Sequence, residues 1–126
     1  MTSNQSEKTN REIVVGAFAE FARGDTGILA EVLHPDFVEH SPGNPSGRDR
    51  FIEHILKAPV ANAALDLKRV IAGDDLVVLH YCLTPHDDSP ALAVVDIWRV
   101  ADGLIVEHWD VVQPVPGNAE TPNGMF

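Results

Sequence analysis

Four apolar runs fill most of the second half of the chain and constrain the fold more than any other feature. They cover residues 65–72, 76–84, 91–100 and 104–112, and each has the composition of a β-strand. The turns 73–75 and 101–103 are short, and the Asp102-Gly103 pair in the second is a strong hairpin signal. The pattern predicts an antiparallel meander.

The first half of the chain predicts helices instead. Apolar residues recur at helical spacing up to about Gly24, again over residues 28–33 until the His34-Pro35 step, and a third time after residue 50. Residues 37–40 suggest a brief strand before a loop rich in Pro and Gly. Helices followed by a meander favour an α+β fold, in which the helices pack on one face of a curved sheet and enclose a pocket.

Size and charge limit the function classes. The 126 residues fit a single domain over 1–126, with a frayed start (1–8) and an irregular tail (114–126). The formal net charge of −10 makes nucleic acid and anionic membranes poor partners. The polar N-terminus lacks the apolar segment of a signal peptide, and the single Cys82 excludes an internal disulfide framework. We therefore expect a cytoplasmic protein.

Ionisable residues interrupt the apolar strands at a few positions. Alternation with period two places His108 and Asp110 on one face of the last strand, together with Leu104, Val106 and Val112. Asp96 shares a face with Val94 and Trp98, and His80 shares one with Val78 and Cys82. A buried carboxylate is costly unless it is paired, so Asp96 and Asp110 require histidines, a ligand or water as partners. Any one of these histidines alone is more often a satisfied core residue, but five ionisable groups facing one cleft favour a functional pocket.

Three segments resemble a known family. The stretches FVEHSPGNPSGRDRFI, VVDIWRVADGLIVEHWDVVQPVP and PNGMF look like the SnoaL-like polyketide cyclases of the NTF2-like superfamily, over about residues 10–126. The resemblance implies a cone-shaped α+β barrel with a deep pocket, usually a dimer, and an intramolecular aldol closure that needs no cofactor. It also implies that Asp96 serves as acid/base. VEHSPGNPSG is similar to the part of ketosteroid isomerase that carries the general-base aspartate, where this chain has His40.

These observations give each candidate residue an expected role. Asp96 is the principal acid/base, with His80 or His108 as its hydrogen-bonding partner, and Asp110 orients His108. His40 lies at the pocket mouth and donates to a substrate oxygen. The expected substrate-binding residues are Phe37, Val78, Val94, Trp98 and Val106.

The expected function is acid/base chemistry on a small apolar carbonyl compound, either aldol condensation or cyclisation or an isomerisation, without cofactor or metal. One alternative is a noncatalytic module that binds a small molecule. A second is a Zn²⁺ or Fe²⁺ site formed by His40, His80 and His108 with a carboxylate, although their spacing matches no metal-binding motif.

Two further expectations concern surfaces. The last three strands are apolar on both faces, which suggests that a second subunit covers the face away from the helices and that Trp109 packs in this homodimer interface. Arg99 and Glu107 are expected to pair across the sheet. The terminal Met125-Phe126 pair either caps the pocket or packs on a neighbouring subunit.

Overall fold

Three helices occupy the first half of the chain, as predicted. The computed structural model describes residues 8–117 and 121–126, with helices α1 (Asn10–Ala22), α2 (Ile28–Val32) and α3 (Arg48–Ile55). Helix α1 begins with a capping box, because the Thr9 hydroxyl accepts from the Glu12 backbone N–H while the Glu12 carboxylate accepts from the Thr9 backbone N–H. A 3-10 turn (Pro59–Asn62) leads into the sheet. Most of the segment expected to fray, residues 1–7, and residues 118–120 of the tail lie outside the described residues.

Five strands form one curved sheet that does not close into a barrel. The strands are β1 (Leu33–Glu39), β2 (Ala63–Gly73), β3 (Leu76–Pro85), β4 (Leu92–Ala101) and β5 (Leu104–Pro114). Their spatial order is β1-β5-β4-β3-β2. The four C-terminal strands form the predicted antiparallel meander, and the Asp102-Gly103 turn has positive φ at both residues, as a type I′ hairpin requires.

Strand β1 departs from the expected antiparallel sheet. It pairs with β5 in parallel, so the sheet is mixed. It also begins at Leu33, earlier than the brief strand that the sequence suggests, and therefore contains the His34-Pro35 step. Proline is tolerated there because β1 is an edge strand, where a missing backbone N–H breaks no ladder bond on the open side.

The two faces of the sheet have different surroundings. On β3, Val77, Leu79, Tyr81 and Leu83 are buried on the side that faces the helices. Together with Val14, Leu29, Phe37 and Phe51 they belong to the main hydrophobic core. The intervening residues of β3 lie on the opposite side, which we call the outer face. His80 and Val78 are among them.

A β-bulge in β5 changes which residues share a face. Val100 pairs with Ile105 and Arg99 pairs with Glu107, so Val106 is the extra residue. The predicted grouping of Leu104 and Val106 with His108 is wrong for this reason. Ile105 takes the inner position instead, and it is 3% exposed.

The C-terminal residues pack on the outer face. The Phe126 ring stacks on His80 with 5.6 Å between centroids, and the Lys68 ammonium lies 5.6 Å from the centre of the Phe126 ring. The cavity described below is not lined by Met125 or Phe126, so the expectation that they cap it is wrong for this structure. No helix among residues 8–117 and 121–126 has the length and apolar character to span a membrane.

Candidate acid/base site

A cavity of about 220 Å³ lies between the helices and the inner face of the sheet. Helices α1, α2 and α3 contribute only apolar side chains to its wall, and Val94, Ile105 and Val112 continue the apolar lining on the sheet. Its polar side chains come from the sheet and from the loop after β1. They are Asn44, Tyr81, Asp96, Trp98, His108 and Asp110. No lysine or arginine is among the described residues that line it.

The centre of the site is a buried chain of three side chains. His108 Nε2 lies 3.0 Å from Asp96 Oδ1, and its Nδ1 lies 2.6 Å from Glu39 Oε1. All three residues are at least nine-tenths buried. Of the two histidines predicted as partners of Asp96, the structure places His108 in contact with it. The reason is that β4 and β5 are adjacent strands and both residues lie on the inner face.

These contacts make His108 a cation at neutral pH. Burial opposes the charge on the imidazole, but hydrogen bonds to Asp96 and Glu39 and the charges of both carboxylates outweigh it and raise the pKa of His108 to about 9. Burial likewise works to raise the pKa of Glu39, yet the hydrogen bond and the charge of His108 leave that pKa below its ordinary value. The result is an imidazolium held between two carboxylates.

Sequence reasoning missed Glu39. It is the last residue of β1, and the parallel register places it opposite His108. The loop after β1 then fixes it: Asn44 Nδ2 donates to Glu39 Oε2 at 3.0 Å, and the Glu39 backbone N–H donates to Ser46 Oγ at 2.9 Å. Strand alternation would have identified Glu39 as an inward-facing residue, because it places Phe37 and Glu39 on one face and His40 on the other.

The prediction that Asp110 orients His108 is wrong. Both imidazole nitrogens are already engaged by Asp96 and Glu39. Asp110 instead sits opposite Asp96 in the β4–β5 register and lines the cavity. Burial raises its pKa, and the charges of Asp96 and Glu39 add to this, while the Ser41 hydroxyl and His108 act in the opposite direction without reversing it.

Tyr81 places a phenolic hydroxyl near Asp96. Burial, the charge of Asp96 and a hydrogen bond to that carboxylate raise the pKa of Tyr81 well above its ordinary value. Tyr81 therefore stays a neutral phenol, and it was not among the predicted site residues.

His40 and His80 lie on the outer face, away from the cavity. His40 Nε2 contacts Glu107 Oε2 at 2.6 Å, and its ring stacks on Trp109 with 4.9 Å between centroids. His80 contacts Arg69 at 3.1 Å. Their predicted places at the pocket mouth and beside Asp96 are wrong, because both residues fall on the opposite phase of strand alternation. The sheet therefore separates His40 and His80 from His108, so the three histidines of the alternative metal site do not converge.

A different set of possible ligands does converge. Asp96, His108 and Asp110 each offer an atom, and these atoms lie within 4.8 Å of one another. Both nitrogens of His108 already face carboxylates, however, so a metal at this position requires the buried hydrogen bonds to be rearranged.

Two of the five predicted substrate-binding residues line the cavity, namely Val94 and Trp98. Phe37 is fully buried against Phe51, with 4.7 Å between ring centroids, and does not reach it. Val78 lies on the outer face, and Val106 is displaced by the bulge.

The predicted pair between Arg99 and Glu107 forms, with 2.8 Å between Nη2 and Oε1.

Comparison with solved structures identifies the same architecture elsewhere. IdmH, a candidate polyketide cyclase from Streptomyces antibioticus, is 22% identical with a TM-score of 0.67, over 84% of this chain and 93% of that one. A candidate ketosteroid isomerase from Kribbella flavida is 21% identical with a TM-score of 0.73, over 89% and 86% of the two chains. An NTF2-like protein of unknown function from Burkholderia xenovorans is 18% identical with a TM-score of 0.74, over 89% and 91%. At these identities the likeness concerns the fold.

A search of curated protein sequences finds no match. The family model of the SnoaL-like domain, in contrast, matches residues 14–108, which include Glu39, Asp96 and His108 but not Asp110. With the NTF2-like architecture and a matched segment that covers most of the chain, this protein belongs to the SnoaL-like domain family.

Proposed function

We propose that this protein catalyses acid/base chemistry on a small apolar carbonyl compound, by aldol condensation or cyclisation or by a related isomerisation. The observation that carries the proposal is the position of Asp96, whose carboxylate lines an apolar cavity while His108 holds it at 3.0 Å. A fixed carboxylate next to an apolar binding space is the arrangement that proton abstraction beside a carbonyl requires.

The surroundings of Asp96 suit a base that must later return its proton. The His108 imidazolium lies 3.0 Å from Asp96 Oδ1 and donates to that carboxylate, which fixes the position of the base before reaction. Glu39 fixes the ring from the other side through the 2.6 Å contact at Nδ1. Glu39 is therefore a positioning residue in this proposal, because it acts through His108.

The aldol addition step of the proposed reaction needs only proton transfers and one new carbon–carbon bond; a condensation then loses one water molecule from the product. Asp96 removes a proton from the carbon next to a carbonyl group, and the electron pair of the broken C–H bond stays on the substrate as an enolate, which leaves Asp96 neutral. The enolate carbon attacks a second carbonyl carbon and forms an alkoxide. Asp96 returns its proton to that alkoxide, so the enzyme is unchanged at the end. In an isomerisation, the proton returns to another carbon of the same enolate.

The competing interpretation is a module that binds small molecules without turning them over. Solvent exchange separates the two, because an enzyme of this type exchanges the hydrogens next to a carbonyl for deuterium in D₂O even when the full product is unknown. The probe is a panel of small aromatic and aliphatic ketones and diketones, followed by proton NMR.

The test compares the wild-type protein with Asp96→Asn and with a control, Asp102→Asn. Asp102 is exposed in the β4–β5 turn, where asparagine readily adopts the positive φ of 52°. We expect Asp96→Asn to keep ketone affinity within a few-fold and to lose at least 10²-fold in exchange rate, with the control unchanged. Binding of the panel without exchange in the wild-type protein would refute the enzymatic proposal and favour the binding module.

A further inference from the structure

Two carboxyl groups face the cavity directly across neighbouring strands. Asp96 and Asp110 are register partners on β4 and β5, and both line the cavity. Like charges at directly opposite positions of a sheet repel each other, and an apolar surrounding increases the repulsion.

The two carboxyl groups have unequal partners. His108 is the cation beside them, and its ring nitrogens face Asp96 and Glu39. Among the described residues the cavity wall holds no lysine or arginine that pairs with Asp110. The groups that face Asp110 are Asp96 from β4, Glu39 from β1, His108 from β5, Tyr81 from β3 and the Ser41 hydroxyl. The helices face the cavity with apolar side chains alone.

We propose that Asp110 is a neutral carboxylic acid that donates a hydrogen bond to the carbonyl oxygen of the bound compound, opposite the ionised Asp96. This assignment rests on the proposed function, and it gives the second carboxyl group a role of its own. When Asp96 removes a proton beside the carbonyl group, negative charge develops on the oxygen, and the Asp110 hydroxyl stabilises it there. Asp110 keeps its proton throughout this step, so the balance of the reaction described above is unchanged.

A hydrogen-bond donor at Asp110 also selects a class of ligand. The site accepts a neutral carbonyl oxygen or the oxygen of an enolate or phenolate, because it offers a donor at that point. Phenolates are useful probes, since they carry a negative oxygen on an apolar ring and do not react.

The experiment measures binding of 4-nitrophenolate, which is ionised at about pH 8 while His108 is still protonated, to the full chain and to Asp110→Asn and Asp110→Leu. Asparagine keeps a neutral donor of the same shape, so we expect affinity within about threefold of wild type. Leucine removes the donor, and we expect about a tenfold loss or more. An ionised Asp110 predicts the opposite sign, because either substitution then removes a repelling charge and tightens binding. Tighter binding in both variants would overturn the proposal.

Carbon-13 NMR of the aspartate carboxyl groups provides a test on the unaltered protein. We expect the Asp110 signal, identified by its loss in Asp110→Asn, to show a protonated carboxyl group at a pH where Asp96 is ionised. An ionised Asp110 under those conditions overturns the proposal. The binding and NMR experiments do not depend on turnover. Failure of the wild-type protein to exchange ketone hydrogens therefore refutes the proposed reaction without deciding the protonation state of Asp110. Full exchange activity in Asp110→Leu would refute the proposed stabilisation of the enolate by Asp110 and would leave the proposed reaction itself intact.

Discussion

Glu39 and His108 lie 69 residues apart in the chain and form a buried contact of 2.6 Å. Each belongs to a Glu-His pair, residues 39–40 and 107–108, and the two pairs lie side by side on the parallel strands β1 and β5. Alternation turns Glu39 and His108 inward and turns His40 and Glu107 outward, where they make a second 2.6 Å contact. The same chemical pair is thus present on both faces of the sheet, buried on one and partly exposed on the other.

This symmetry gives a matched test of burial. We predict that Glu39→Gln lowers the free energy of unfolding by about 3–5 kcal/mol, because it leaves the His108 imidazolium with one buried partner fewer. Glu107→Gln, the same change in a partly exposed pair, also weakens the contact with Arg99 and is still expected to cost about 1 kcal/mol or less. Urea denaturation measures both values, and equal losses would contradict a special role for the buried pair.

The pH dependence of stability follows from His108. Its folded-state pKa of about 9 exceeds the ordinary value of 6.5, so the protonated ring stabilises the fold fully below about pH 6.5. The contribution decreases as pH rises through 9, and it amounts to about 3 kcal/mol at most. We expect the free energy of unfolding to fall between these pH values. In Glu39→Gln the slope should be shallower, and identical slopes in the two proteins would argue against this origin.

Trp98 offers a prediction about an unsatisfied donor. Its ring stacks on His108 with 3.9 Å between centroids, while Nε1 is buried without a hydrogen-bond partner in the described part of the chain. Trp98→Phe removes that donor and keeps an aromatic ring, so we expect a stability change within about 1 kcal/mol. Trp98→Ala is expected to cost about 3–5 kcal/mol through lost packing. Thermal or urea unfolding compares them, and a Phe variant as unstable as the Ala variant would show that the indole N–H has a partner.

The outer face leads to a prediction about assembly. Ile71 and Val111 are 65% and 67% exposed on this face, which also carries Trp109. We propose that a second copy of the chain covers it, because large exposed apolar groups that share a face mark interaction sites. Sedimentation analysis should give a dimer for the wild-type protein and a monomer for Val111→Asp. The matched control is Leu56→Asp, which alters an apolar residue that is 43% exposed after helix α3. A monomeric wild-type protein would refute the proposal.

The sequence predicts the fold and half of the site for identifiable physical reasons. Hairpin pairing is local, so the Asp102-Gly103 turn fixes β4 against β5 and brings Asp96 to His108. Strand alternation also separates Trp109 from Asp110 correctly. These inferences use only neighbouring strands and regular geometry.

The remaining half depends on irregular and long-range features. The bulge at Val106 shifts the phase of β5, and no Gly or Pro at that position signals it. The parallel pairing of β1 with β5 joins residues far apart in sequence, so Glu39 has no local sign of its partner. The two Glu-His pairs are nevertheless visible in the sequence. Period-two alternation over residues 37–40 places Glu39 on the same face as Phe37, and this predicts that Glu39 points inward.

The charge on the His108 ring is the quantity to measure first. Nitrogen-15 NMR of the histidine side chains distinguishes the imidazolium from both neutral tautomers, and His108 is assigned by its loss in a His108→Gln variant. At pH 7.5 we expect both ring nitrogens of His108 to be protonated, with titration near pH 9 that moves to lower pH in Glu39→Gln. A neutral His108 at pH 7.5 would contradict the buried chain of Glu39, His108 and Asp96 on which the proposed chemistry depends.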